Sequence, residues 1–212
     1  MLTRSRLEVY LTIALLLIAT LFINCQSPTN NTQQSNAVVG NEQLITLSDL
    51  GEVAEFSLTN QSGKTITTTD LKGKIWVADF FFTSCQGVCP VMTARMSKLD
   101  KTLGNKGLHL LSISVDPATD TPEKLTEYAK NFEAKDNWQF LTGEKAKIID
   151  LSVKGFRLSL GEDPMSHSQR LVLIDGRSHI RGYYHVDREN EMQLIVEHAT
   201  QLLKEANVTS RN

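Results

Sequence analysis

The sequence predicts an α/β domain: a mixed sheet flanked by helices on both faces, with a β-hairpin near its amino end. Three observations carry this. The strongly apolar run Ile75–Phe82 is continuous rather than alternating, the pattern of a strand covered on both faces. From there to Val153, strand-like and helix-like stretches alternate, which argues for parallel strands joined by crossover helices. Two β-rich runs then flank the turn dipeptide Asp175-Gly176 as an antiparallel hairpin, and a helical pattern follows.

The elements follow in order. Phe56–Leu58 and Lys64–Thr67 pair as short strands about Asn60-Gln61-Ser62-Gly63, a turn of hairpin type. Asp70–Lys74 leads into the strand Ile75–Phe82. Val91, Met92, Met96, Leu99 and Leu103 recur at helical spacing, and Gly104 closes that helix. Leu108–Val115 is the second central strand and ends at Asp116-Pro117. Asp120-Thr121-Pro122-Glu123 has the spacing of a capping box, with proline at the first turn, so a helix starts there. Leu125, Tyr128, Ala129 and Phe132 form its buried face. Trp138–Leu141 is a short strand and Ala146–Val153 a further helix. Leu171–Ile174 and Ile180–Tyr184 form the hairpin. Glu191–Leu203 is the last helix, burying Ile195, Ala199 and Leu202.

Residues 1–25 stand outside this domain. Arg4 and Arg6 give a positive start, and Val9–Ile23 is an uncharged apolar run, the layout of an export signal. At 15 residues the run is shorter than the roughly 20 of a spanning helix; an uncleaved, tilted anchor is the alternative. Cys25 resembles the lipid-modified cysteine of bacterial lipoproteins, with Asn24 where a small residue is usual. Residues 26–43 are rich in Ser, Thr, Asn and Gln and form a polar linker. Residues 44–208 are the size of one domain. The formal net charge is −2 and no basic run of five occurs, which argues against nucleic-acid binding. The domain is expected to be exported and tethered to the outer face of the cytoplasmic membrane.

Two cysteines lie within the domain, Cys85 and Cys89, where the first central strand ends and a helix begins. Backbone N–H groups and the helix dipole there favour thiolate over thiol. In an exported protein such a pair oxidises unless it has a use. A four-residue loop gains little from a structural bridge. The chemistry is therefore redox, metal binding, or both.

Thr83-Ser84-Cys85-Gln86-Gly87-Val88-Cys89-Pro90 resembles the CxxxCP motif of the Sco/SenC family of copper-binding assembly proteins. Ser114-Val115-Asp116-Pro117-Ala118-Thr119-Asp120-Thr121-Pro122, Phe140-Leu141-Thr142-Gly143 and His167-Ser168 are similar to later segments of that family, in the same order. Gln86 stands where many members carry proline, which bears only on loop stiffness. The resemblance implies a thioredoxin-like fold and a copper site made of Cys85, Cys89 and His167. Two thiolates and one imidazole form a soft, low-coordination set that suits Cu(I) and also binds Cu(II).

Five histidines compete for the third position. His167 follows the turn-rich Gly161–Ser166 and precedes a strand, so it belongs to a loop at a sheet end. His109 lies in a strand, His179 in the hairpin turn, His185 at its second strand's end and His198 at an exposed-looking helix position. Met92 and Met96 match the helix's buried face better than a ligand pair. Asp116 is either a turn cap or, as the resemblance implies, an outer-shell partner of the metal.

The resemblance also implies a partner, the copper-binding subunit of a respiratory cytochrome c oxidase, and leaves open whether another copper chaperone loads this one. The protein would deliver copper to that subunit's dinuclear site, or keep its cysteines reduced. The competing reading is an exported thiol–disulfide oxidoreductase using Cys85 and Cys89 without metal. Against it stand the CxxxC rather than CxxC spacing and the sequence Ser168-Gln169-Arg170, where such enzymes carry proline before the facing strand.

Overall fold

The computed structural model describes residues 46–158 and 168–209, all within one compact unit, Gln43–Asn212. Residues 1–45, which include Cys25, lie outside the described residues, as does 159–167, which includes His167. Seven strands form one sheet in the order β2-β1-β5-β4-β3-β6-β7. The hairpin of β1 (Ser57–Asn60) and β2 (Thr65–Thr67) pairs antiparallel with Leu58 opposite Ile66. Its turn is held by Asn60, whose buried side chain accepts the N–H groups of Ser62 and Lys64 at 3.0 and 2.9 Å.

β3 (Ile75–Phe81) and β4 (Leu108–Ser114) run parallel from the pair Ile75/Leu108 to Phe81/Ser114. β5 (Trp138–Thr142) continues the parallel set. On the other side of β3, β6 (Arg170–Ile174) and β7 (Ile180–His185) run antiparallel as a hairpin. Its loop spans residues 175–179, longer than the Asp175-Gly176 dipeptide alone predicts. Asp175 Oδ1 accepts the N–H groups of both Arg177 and His179, and Ser178 takes a positive φ of 65°. Gly176 has a packing reason: a Cβ there would meet Gly73 backbone at 3.2 Å, where Gly73 N–H bonds Gly176 O.

The helices are α1 (Cys89–Leu103), α2 (Pro122–Asn131), α3 (Lys145–Asp150) and α4 (Glu189–Thr209). A π turn, Leu151–Gly155, follows α3. The steps β3 to β4 to β5 go the same way across the sheet, so right-handed crossovers place α1 and α2 on one face. The return to β6 reverses direction and puts α3 and the π turn on the other. Ring contacts agree: Phe81 packs on Tyr128 of α2, whereas Trp76 and Phe80, of opposite parity, pack on Phe156. β3 is therefore buried at every position, as its continuous apolar run predicts. The mixed sheet, the flanking helices and the amino-terminal hairpin all match expectation.

Two local expectations need correction. The cap of α2 is Thr121, whose hydroxyl accepts Lys124 N–H at 3.4 Å; Asp120 turns into the core and is fully buried. His198 is half-buried rather than exposed, because its Nδ1 pairs with the Tyr184 hydroxyl at 2.7 Å.

Candidate functional site

β3 ends in the middle of the sheet and releases the chain at Phe82. Cys85 N–H bonds back to Phe82 O at 3.3 Å, and α1 starts at Cys89 with Pro90 in its first turn. Among the described residues no side chain caps α1, so its first N–H groups are available to another acceptor. The sulfur of Cys85 takes that place. Burial alone would raise its pKa, but the Cys89 thiol and the N–H groups of Cys89, Gly87 and Val88 bring it below the ordinary thiol value.

Cys89 behaves oppositely. It is fully buried, and burial pushes its thiol up, reinforced by the hydrogen bond to Cys85 and by the charges of Cys85 and Asp79, against the Phe82 N–H. The expectation that the helix entrance favours thiolate thus holds for Cys85 and fails for Cys89. The reason is positional: Cys85 lies before the helix, over its N–H groups, while Cys89 belongs to the helix and turns inward. Both cysteines are free, with no disulfide among the described residues. The pair is thus unequal: Cys85 is the more readily deprotonated sulfur and Cys89 the less.

Around the pair lie residues that sequence reasoning did not single out. Asp79, on β3 six residues before Cys85, is fully buried, and neither carboxyl oxygen has a hydrogen-bonding partner in good geometry among the described residues. Burial pushes it up to about 7, offset only in part by the Ser112 hydroxyl on the neighbouring strand. A charged residue inside an apolar strand run was the available signal. Tyr128 donates or accepts at Thr93 Oγ1, 2.9 Å away, and Thr93 in turn bonds Cys89 O. Burial raises the tyrosine to about 12, with Asp79, Cys89 and Cys85 adding to the shift.

Asp116 sits half-buried at the end of β4. Its backbone closes the turn: its N–H bonds Ser114 Oγ at 3.1 Å and its carbonyl accepts the Thr119 and Asp120 N–H groups. Met92 and Met96 are fully buried in the core, as their spacing predicts.

None of the four described histidines joins the cysteines. His109 pairs across from Trp76, roughly 16 Å along the strand from its sulfur-bearing end. His179 binds Asp49 at 2.8 Å, His185 accepts from Arg170 at 3.1 Å, and His198 binds Tyr184. Among the described residues no group of three or more His, Cys, Asp or Glu side chains is arranged to hold a metal ion. Also among them, no helix is long and apolar enough to cross a membrane. The two sulfurs nevertheless fit a soft ion, because they already contact each other at the helix entrance.

The family model described as SCO1/SenC matches residues 47–204. Among solved structures, the chain is 37% identical to a SCO1/SenC family lipoprotein from Bacillus anthracis, covering 71% of this chain and 94% of that one at a TM-score of 0.66. It is 31% identical to BsSco, a member of the Sco family of cytochrome c oxidase assembly proteins in which a disulfide switch was identified; 75% and 98% are covered at a TM-score of 0.67. Copper-bound ScoI of Bradyrhizobium japonicum is 26% identical, with 70% and 99% covered at a TM-score of 0.58.

Proposed function

The chain belongs to the SCO1/SenC family, and from that premise we propose that it binds one copper ion through Cys85, Cys89 and His167. It passes that ion to the dinuclear copper site of a cytochrome c oxidase subunit. The observation that carries this is the sulfur pair: one lowered thiol and one raised thiol in contact at a helix entrance. Thiolates select soft ions. Copper binds both sulfurs as thiolates, and Cys89 is the harder to deprotonate, so loading releases protons and strengthens as pH rises.

The choice of His167 as third ligand is supported by topology. β6 pairs antiparallel with β3, Val172 opposite Ala78, so β6 begins at the sheet end where β3 releases Cys85. Ser168, the residue after His167, enters there. The copper-bound relative supports the ion, and BsSco supports the oxidase as partner and a Cys85–Cys89 disulfide as an alternative state. The Bacillus anthracis lipoprotein supports export with lipid attachment at Cys25 and residues 26–43 as tether. A second copper chaperone is the donor in this reading.

The test is direct. A recombinant domain lacking Met1–Asn24 binds one copper per monomer with a thiolate-to-Cu(II) absorption band, and His167→Ala weakens binding and alters that band. Unchanged affinity and spectrum in His167→Ala would sink the three-residue site. Thiol–disulfide exchange is kept as a second reading because the lowered Cys85 is a competent nucleophile. Fast turnover of a model disulfide without metal would favour it.

A further inference from the structure

The last paired residues of the two central strands are Phe81 and Ser114. Two residues beyond each, the chains diverge as Thr83 and Asp116, and a single buried carboxyl group reaches back between them. Asp120 accepts Thr83 N–H at 3.1 Å and Thr83 Oγ1 at 2.5 Å. It also accepts the Ser114 hydroxyl at 2.6 Å, and Ser114 Oγ in turn accepts Asp116 N–H. Asp120 is fully buried and in no ion pair with a described residue. A buried carboxylate is costly unless its hydrogen bonds are good. This one does not cap α2, a task done by Thr121; both of its oxygens are engaged by Thr83, two residues before Cys85.

We propose that Asp120 is a positioning residue of the sulfur pair: through Thr83 it holds the Cys85 segment over the amino end of α1, and through Ser114 it fixes Asp116 at the same strand end. Its consequence is a high effective concentration of one sulfur at the other. The inference rests on Cys85 and Cys89 acting as a pair, and it holds whether they close on copper or on each other.

The second closure gives a metal-free readout. Two glutathione thiols give up two electrons and two protons; the Cys85–Cys89 bond breaks to two thiols, and one glutathione disulfide forms. The equilibrium constant is measured on the full-length chain in detergent, with Cys25→Ser so that only this pair titrates. Thr83→Val keeps the side-chain shape and removes the bond to Asp120 Oδ1; losing a hydrogen bond to a charged group is expected to shift the equilibrium toward the dithiol by roughly fivefold or more. Thr83→Ser keeps both donors and stays within about twofold of the parent on the same scale. Asp120→Asn turns one acceptor into a donor and shifts in the same direction as Thr83→Val. A purely structural role lowers the stability of both redox forms equally and leaves the constant unmoved.

An unmoved constant in Thr83→Val, a shift toward the disulfide, or an equal shift in Thr83→Ser overturns the proposal. Copper stoichiometry is measured on the same proteins. Intact copper binding with no redox shift overturns the clamp alone, whereas a redox shift in a chain that binds no copper overturns the copper reading and supports the clamp.

Discussion

The Cys89 thiol donates its hydrogen bond to the Cys85 sulfur, and this contact pushes the two thiols in opposite directions. Cys85 also collects N–H groups from the helix entrance, while Cys89 has burial against it. The two residues share a motif and four positions of sequence, yet their chemistry differs because only one lies over the helix end.

Alkylation should resolve this order. With iodoacetamide near neutral pH, Cys85 reacts first and Cys89 lags, since thiolate is the nucleophile. Cys89→Ala removes the donor to the Cys85 thiolate, so the midpoint of the Cys85 pH–rate profile moves up and its rate at pH 7 falls. Peptide mapping that finds Cys89 modified first would contradict the assignment.

The two buried methionines separate packing from ligation. Met96→Leu conserves volume and should cost less than about 1.5 kcal/mol, and Met96→Ala about 2–5 kcal/mol. Neither changes the copper stoichiometry. Chemical denaturation gives the first quantity and metal analysis the second; loss of copper in Met96→Leu would make the residue a ligand.

Asp79 predicts a pH dependence of stability. Burial raises its folded pKa to about 7, whereas in the unfolded chain it is near about 4. The folded state therefore holds the proton more tightly. The contribution is complete below the unfolded pKa and is lost as pH rises from about 4 through about 7. Urea midpoints from pH 4.5 to 7.5 should fall relative to those of Asp79→Asn, which lacks this titration. Parallel profiles for the two proteins would rule the assignment out.

The two ends of the β4–α2 connection should respond unequally. Thr121→Ala removes only a helix cap and costs about 1 kcal/mol. Asp120→Ala orphans three donors, one of them the buried Ser114 hydroxyl, and should cost more than twice as much, since each donor left unsatisfied costs about 1–3 kcal/mol. Comparable losses in thermal or urea unfolding would mean that the carboxyl group is not the anchor.

Periodicity made the fold legible because burial on both faces, one face or none leaves different repeats in the chain. The runs Ile75–Phe82 and Leu108–Val115 could only be central strands, and Met92, Met96 and Leu99 only an inward helix face. Capping was less legible: Asp120 and Thr121 are both good caps, and which one turned inward depended on Thr83, 37 positions earlier. His198 looked exposed because its partner, Tyr184, lies on β7 rather than on its own helix.

The order of strands and helices, the position of two sulfurs at a strand-to-helix junction, and the family resemblance that nominates His167 and copper can all be read from the residues alone. Those features are local, carried by spacing within a few residues. It took the packed fold to settle which sulfur is the more acidic, that Asp79 is buried close to them, and that Asp120 ties the cysteine segment to the neighbouring strand. A pKa depends on solvent exclusion and on donors that arrive from other elements, and neither quantity is written in the residues beside it.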